Sequence, residues 1–219
     1  MPASGCTVFV TGGTGYLGSA LIPALLARGH VVHALARPDS TPRLPAGVIA
    51  VVGDALTADS FAGAVPPRAT IVHLVGTPHP NPSKAAEFRR VDLGSIRATV
   101  HAAQHSGAAH IVYVSVAHPA PVMHAYIAAR AEGEALVKAT RIPATIVRPW
   151  YVVGPGHRWP IVLAPVYALL RAIPATRESA ERLGLVTREQ MIAALLGAID
   201  HPPSAGARIV EVPDIRRGS

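Results

Sequence analysis

Between a β-branched run and a stretch of helical periodicity the chain reads Thr11-Gly12-Gly13-Thr14-Gly15-Tyr16-Leu17-Gly18. The glycines at 12, 15 and 18 narrow the available folds more than any other segment. A side chain at the first would obstruct a tight turn, at the second would keep a ligand off the backbone, and at the third would hold helix away from sheet. The helix that opens there aims unpaired N–H groups and a positive dipole end at the turn, which suits a phosphate. An ordinary flexible turn can carry the same glycines, so context decides. A strand before, a helix after and repeated βα units downstream imply that the turn binds the pyrophosphate of a dinucleotide.

Those units are legible as apolar runs at Thr7–Val10, Val31–Ala36, Val48–Val52, Thr70–Val75, His110–Val116 and Ala144–Arg148. They are rich in Val and Ile and continuous rather than alternating, as strands covered on both faces are. Helices are predicted over Tyr16–Arg28, Ser83–Ser106 and Ala125–Ala139, the first two closed by Gly29 and Gly107 as left-handed caps. Pro23 falls inside the first and predicts a kink, because it removes a backbone donor. Leu17, Leu21, Ala24, Leu25 and Leu26 still form one apolar stripe. Strand and helix in alternation predict right-handed crossovers, and so an α/β fold: a Rossmann-type doubly wound parallel sheet with helices on both faces.

After Trp150 the pattern changes to Gly154-Pro155-Gly156-His157-Arg158-Trp159-Pro160, then two or three helices and a last short strand near Arg208–Val212. Residues 151–219 are expected to face the substrate and are too short for an independent second domain, so 1–219 is read as one dinucleotide-binding domain. The Pro-rich Thr77–Pro82 and His118–Pro121 follow strands four and five. They read as loops at the carboxyl edge, where open α/β sheets bind ligands.

Half the residues are apolar and 15% are charged, far from a disordered composition. No basic leader precedes the first strand, and Trp159–Leu170, broken by two prolines, is too short to span a bilayer. A cytoplasmic protein without membrane association is expected. The single Cys6 has neither a disulfide partner nor a zinc-like companion and reads as a small core residue of the first strand. Lys and Arg exceed Asp and Glu by seven, but they are scattered, without the dense stripe that tracks a nucleic acid, and none is expected to bind. Eleven histidines show no metal-ligand spacing, so no metal is expected.

The GxxGxxG turn, Gly53-Asp54, His73-Leu74-Val75-Gly76, Arg148-Pro149-Trp150 and Gly154-Pro155-Gly156 together resemble the extended and atypical branches of the short-chain dehydrogenase/reductase superfamily, the epimerase/dehydratase-like and NmrA-like group. The resemblance covers most of the chain. It implies cofactor contacts from Gly12, Thr14, Gly15, Tyr16 and Leu17, from Asp54 to the adenine amino group with Ala55 beside it, from Val75 and Gly76 to the adenosine ribose, and from Pro149. Where NAD-preferring members place an acid on the ribose 2′-hydroxyl, this chain reads Leu35-Ala36-Arg37-Pro38. The planar fork of Arg37, with Arg43 assisting, implies NADP as the cofactor; NAD is the alternative, with Arg37 a solvated loop residue.

Members with redox activity use a Tyr and a Lys four residues apart on the helix after strand five. The Tyr acts as acid/base, and the Lys steadies the phenolate and holds the nicotinamide ribose. Here the segment is Tyr126-Ile127-Ala128-Ala129-Arg130. The spacing keeps phenol and cation on one helix face, but arginine is bulkier, stays protonated and cannot relay a proton. Either Tyr126 and Arg130 form the catalytic pair with Ser115, or Arg130 pairs with Glu134 on a solvated face while Tyr126 packs in the core. A shift of one residue would put Val116 in the place of Ser115. His118 and His124 are further acid/base candidates. Trp150, Tyr151, His157, Arg158 and Trp159 would cap the nicotinamide and a substrate, or pack a loop onto the core.

The resemblance therefore implies an NADP-dependent oxidoreductase acting on a small carbonyl or hydroxyl substrate. The Lys-to-Arg change favours the alternative, a non-catalytic NAD(P)-binding sensor of the NmrA type. A nucleotide-sugar epimerase or dehydratase ranks third, since such enzymes usually carry a larger substrate domain than the stretch after Trp150. In many relatives the helix carrying the Tyr is also a dimer face, which makes a homodimer and a small-molecule substrate the expected partners.

Overall fold

A computed structural model describes residues 5–156 and 182–218. Its strands are β1 (Thr7–Thr11), β2 (Val31–Ala36), β3 (Ile49–Val52), β4 (Thr70–His73), β5 (His110–Val114), β6 (Ala144–Arg148), β7 (Tyr151–Val153), β8 (Leu185–Thr187) and β9 (Ala207–Glu211). Seven of them form one sheet in the order β3-β2-β1-β4-β5-β6-β9, every neighbouring pair parallel. β7 and β8 pair separately. The chain moves outward from β1 to β3, then returns to the other side of β1 to lay down β4. That reversal leaves a crevice above the carboxyl ends of β1 and β4, the switch point at which doubly wound sheets bind ligands.

Side chains of a strand alternate between faces. Val8 and Val10 enter one core layer with Leu21, Ile22, Leu25 and Leu195, while Phe9 enters the other with Leu35, Ile71, Ile96, Ile111 and Tyr113. Both layers are built of apolar side chains, which is why the strands read as continuous apolar runs. The helices that supply these layers are α1 (Gly18–Ala27), α2 (Ala85–Glu87), α3 (Gly94–Ser106), α4 (His124–Ala139), α5 (Arg188–Asp200) and α6 (Val212–Arg217). α1 opens at Gly18 rather than Tyr16 and runs through Pro23, which stays on the exposed side. Gly29 and Gly107 cap their helices at φ 79° and 63°.

The helix predicted over Ser83–Ser106 is interrupted. A 3₁₀ turn at Pro82–Lys84 leads into α2, and a π turn over Phe88–Leu93 separates α2 from α3. Phe88 and Asp92, four residues apart, would share a face in an α-helix; the wider ring of the π turn brings Leu93 to the interior beside them. Cys6 also departs from expectation. It lies just before β1 rather than in it, half-buried against the core layer of Val8 and Val10, with its Sγ also 3.2 Å from His30 Nδ1. Among the described residues no helix is long and apolar enough to cross a membrane. His157, Arg158, Trp159 and the stretch Trp159–Leu170 lie outside the described residues.

Candidate functional site

β1 ends at Thr11, and Gly12 turns the chain at φ +77°. The Gly15 amide donates to the Gly12 carbonyl at 3.0 Å. A Cβ on Gly12 would lie 3.0 Å from the Leu74 carbonyl carbon and the Val75 nitrogen; one on Gly18 would lie 2.4 Å from the Gly12 oxygen. Packing of the turn on itself and on the exit of β4 therefore dictates those two glycines. Gly15 differs, because a Cβ there would meet only the Gly12 oxygen at 3.2 Å. Its other side opens on the cleft, where a side chain would fill space that a close-lying phosphate needs. Arg43 Nη2 donates to the Thr14 carbonyl at 3.0 Å and anchors the turn from outside.

Two cavities meet over this turn. One, about 470 Å³, is lined by Thr14, Arg37, Asp54, Ala55 and Val75; the other, about 380 Å³, by Tyr16, Leu17, Ser115, Tyr126, Arg130 and Pro149. Gly12, Gly15, Leu74, Gly76 and Pro78 line both, so the two form a continuous trough across the switch point. The cofactor residues expected from the sequence lie along it, with Arg37 and Asp54 at one end and Pro149 at the other, except Arg43, which lines neither cavity and is turned to the Thr14 carbonyl instead. Asp54 is oriented by its own turn: Oδ1 accepts from the Leu56 amide at 3.0 Å. Sequence reasoning missed Ser40 and Arg90, which line the Arg37 end. Arg90 was visible only as half of a basic pair, and it is the π turn that brings it to the cleft.

Arg130 does not pair with Glu134, and it is not on a solvated face. Its guanidinium is buried 2.7 Å from Asp92 Oδ1, donates to the carbonyls of Val114 at 3.0 Å and Val75 at 3.3 Å, and leaves the side chain 6% exposed against 0% for Asp92. Asp92 Oδ2 in turn accepts from the Thr77 amide and hydroxyl at 3.1 and 2.6 Å. Burial opposes the charge on Arg130, but Tyr126, Tyr113 and Asp92 outweigh it and hold the protonated form above the ordinary arginine range. The guanidinium also lies 5.4 Å from the Tyr126 ring centre. Thus the arginine cross-links the carboxyl ends of β4 and β5 beneath Gly76, where a Cβ would lie 2.2 Å from its Nη2. Tyr126 is not in the core; it is half-buried against Phe88, ring centres 5.0 Å apart, and lines the trough's end.

Glu134, one turn further along α4, is the hub of a second buried network. It takes two bonds from Arg148, Nε to Oε1 at 2.8 Å and Nη2 to Oε2 at 2.5 Å, one from Ser115 Oγ at 2.7 Å, and lies 3.3 Å from His118 Nε2. Burial alone would raise its pKa, yet hydrogen bonds from Arg148 and Ser115 and the adjacent charges hold it below the usual carboxylate range. Because Ser115 gives its proton to Glu134, it offers the trough only lone pairs. Val116, the one-residue alternative, lines the same cavity. His124 is exposed at the start of α4. Beneath the floor His73 is fully buried, Nδ1 within 3.0 Å of Thr11 Oγ1 and 2.9 Å of Thr99 Oγ1; burial, and then the charge of Arg130, push it down to about 3. Among the described residues no His, Cys, Asp and Glu group could hold a metal ion.

A family model described as NAD(P)H-binding matches residues 12–159. Among curated proteins the chain is 30% identical to ceramide reductase of Caulobacter vibrioides over 96% of its own length and 65% of that protein's. It is 35% identical to divinyl chlorophyllide a 8-vinyl-reductase of Oryza sativa subsp. indica over 65% of this chain and 39% of the relative, and 34% identical to 3-beta-hydroxysteroid dehydrogenase of Mycolicibacterium neoaurum over 49% and 31%. The chain thus spans less than two thirds of each relative's length. Solved structures share the fold: a short-chain dehydrogenase/reductase superfamily protein from Agrobacterium tumefaciens with bound NAD has a TM-score of 0.68 at 20% identity, covering 92% of this chain and 76% of that one. A UDP-galactose 4-epimerase gives 0.70 at 19% identity, covering 93% and 76%.

Proposed function

This chain belongs to the NAD(P)H-binding family within the short-chain dehydrogenase/reductase superfamily, and on that premise we propose that it is a reductase of a small carbonyl compound, preferring NADPH and using Tyr126 as proton donor. The observation that carries this reading is the continuous trough over the switch point, with phosphate-turn glycines at its middle and the Tyr126 side chain at its far end. The open side of Gly15 fits a pyrophosphate against the turn amides. Asp54 and Ala55 would hold the adenine, Val75 and Gly76 its ribose, and Arg37, flanked by Ser40 and Arg90, a 2′-phosphate. Tyr16, Leu17 and Pro149 would bound the nicotinamide. When bound, the reduced cofactor supplies the hydride.

The chain's own residues then divide the remaining work. Tyr126 Oη gives its proton to the substrate oxygen as the carbonyl carbon is reduced. Ser115, its proton committed to Glu134, accepts a hydrogen bond from an N–H or O–H in the trough and does not polarise the carbonyl. Arg130 holds β4 and β5 in register and carries a positive charge beside the ring of Tyr126; it moves no proton. A second reading, dinucleotide binding without turnover, is favoured by one fact: Arg130 is bound to Asp92 and two carbonyls, not to the Tyr126 hydroxyl.

The test is carbonyl-dependent oxidation of NADPH followed by absorbance. Tyr126→Phe should lower kcat/KM by ~10²-fold or more while NADPH affinity stays unchanged. Full activity in Tyr126→Phe would refute the assignment, and NADPH binding with no turnover of any carbonyl would leave the sensor reading in its place.

A further inference from the structure

A third cavity, about 620 Å³, opens beside the nicotinamide end of the trough and falls in the size range of small-molecule sites. It shares Val116, Tyr126, Trp150 and Val152 with the trough, so a ligand in it reaches Tyr126 directly. Val122, Met123, Pro80 and Pro82 extend the apolar wall, His79 and Asn81 add a polar edge, and none of its described lining residues is Lys, Arg, Asp or Glu.

Nearby arginines on the described elements are also committed elsewhere. Arg130 is bound to Asp92, and Arg148 to Glu134 and, at 2.8 Å, to Glu211. Arg188 lies 5.5 Å from the Tyr16 ring centre. An anionic ligand here would surrender its hydration with no Lys or Arg among the described lining residues, and with only the imidazole of His79 and the amide of Asn81 at one edge to meet it, a cost that specific sites avoid.

We propose that this cavity takes an uncharged, predominantly apolar carbonyl compound, with its hydrocarbon body against Val116, Val122, Met123, Trp150 and Val152 and its oxygen at Tyr126. The predominantly apolar occupant follows from the walls, where Val116, Val122, Met123, Trp150, Val152 and two prolines outnumber His79 and Asn81; only the reacting carbonyl rests on the reductase reading. Each methylene added to the ligand is worth about a fourfold gain in affinity until the cavity is filled. A nucleotide sugar, with its diphosphate, is rejected.

The experiment titrates the full chain, with and without saturating NADP+, with 2-hexanone, 2-octanone and 2-decanone, following tryptophan fluorescence, and with UDP-glucose as the anionic probe. Kd should fall about fourfold per methylene, and UDP-glucose at millimolar concentration should not displace 2-decanone. Val122→Glu, at a half-exposed wall position outside the trough, should weaken 2-decanone at least tenfold and leave NADPH affinity unchanged. A flat series, no alkanone binding, or UDP-glucose binding to the NADP+-saturated chain as tightly as 2-decanone would overturn the proposal. Failure of the reductase reading is separate: it would appear as absent NADPH binding or absent hydride transfer, with the chain-length series unaffected.

Discussion

Replacing Asp92 with Asn leaves the Arg130 guanidinium buried without its carboxylate. The two side chains are 0% and 6% exposed and 2.7 Å apart, and the aspartate keeps both bonds from Thr77. Removing one partner of such a pair costs ~3–5 kcal/mol, a large share of the ~5–15 kcal/mol that holds a domain together. Arg130→Met should cost about as much, since it strands Asp92 and orphans the carbonyls of Val75 and Val114. Asp92→Leu combined with Arg130→Met replaces the pair with apolar groups, and should cost less than the single variants Asp92→Leu and Arg130→Met summed by ~2 kcal/mol or more. Urea denaturation followed by circular dichroism at neutral pH measures all of these. If Asp92→Asn cost under ~1 kcal/mol, or the two singles added within ~0.5 kcal/mol, the pair would not be what holds the trough's floor.

Acid should weaken the fold through two buried histidines. His73 and His110 titrate near 3 and 4 against about 6.5 when unfolded, His110 because of burial and then Arg208. Between these values the unfolded chain binds more protons, so stability falls as pH drops, by ~2 kcal/mol for each at pH 5 relative to pH 8. Urea midpoints at the two pH values check this, and an undiminished acid loss in His73→Gln would count against it. Gly15→Ala and Gly18→Ala should separate ligand from fold. The first should weaken NADPH binding at least tenfold at unchanged melting temperature; the second, whose Cβ meets backbone at 2.4 Å, should destabilise by ~1–3 kcal/mol or more. Ser115→Ala should lower kcat less than tenfold, because its hydroxyl does not donate to the substrate; a loss as large as that of Tyr126→Phe would contradict this geometry.

The sheet was legible because its cues are local: Val8, Phe9 and Val10 are each buried on one face or the other, and the glycines of the turn answer to atoms within the same turn or on the next strand. The cofactor candidates were legible for the same reason, being loop residues at the ends of strands already located. The buried charges were not. Arg130 lies 38 positions from Asp92 in sequence, and the aspartate shares the buried helix face of Phe88, Ser95, Ile96 and Thr99, where a carboxylate is not expected without a partner. In sequence both Glu134 and Asp92 look like solvent-facing helix charges. Glu134 spans the gap to Arg148 on β6, so the i, i+4 proximity of Arg130 and Glu134 pointed to the wrong pair. Cys6 packs against the core as its composition suggested, but its contact with His30 was not legible, because His30 folds back beside it only once the second strand is laid down.

If the trough binds a nicotinamide dinucleotide and grips its 2′-phosphate, as proposed, titration with NADPH and NADH, following nicotinamide fluorescence, will separate the two cofactors. Wild type should bind NADPH at least tenfold more tightly than NADH, and Arg37→Glu should abolish that difference by weakening NADPH alone. Binding of neither nucleotide at near-millimolar concentration, or an NADPH preference that survives Arg37→Glu intact, would contradict the account.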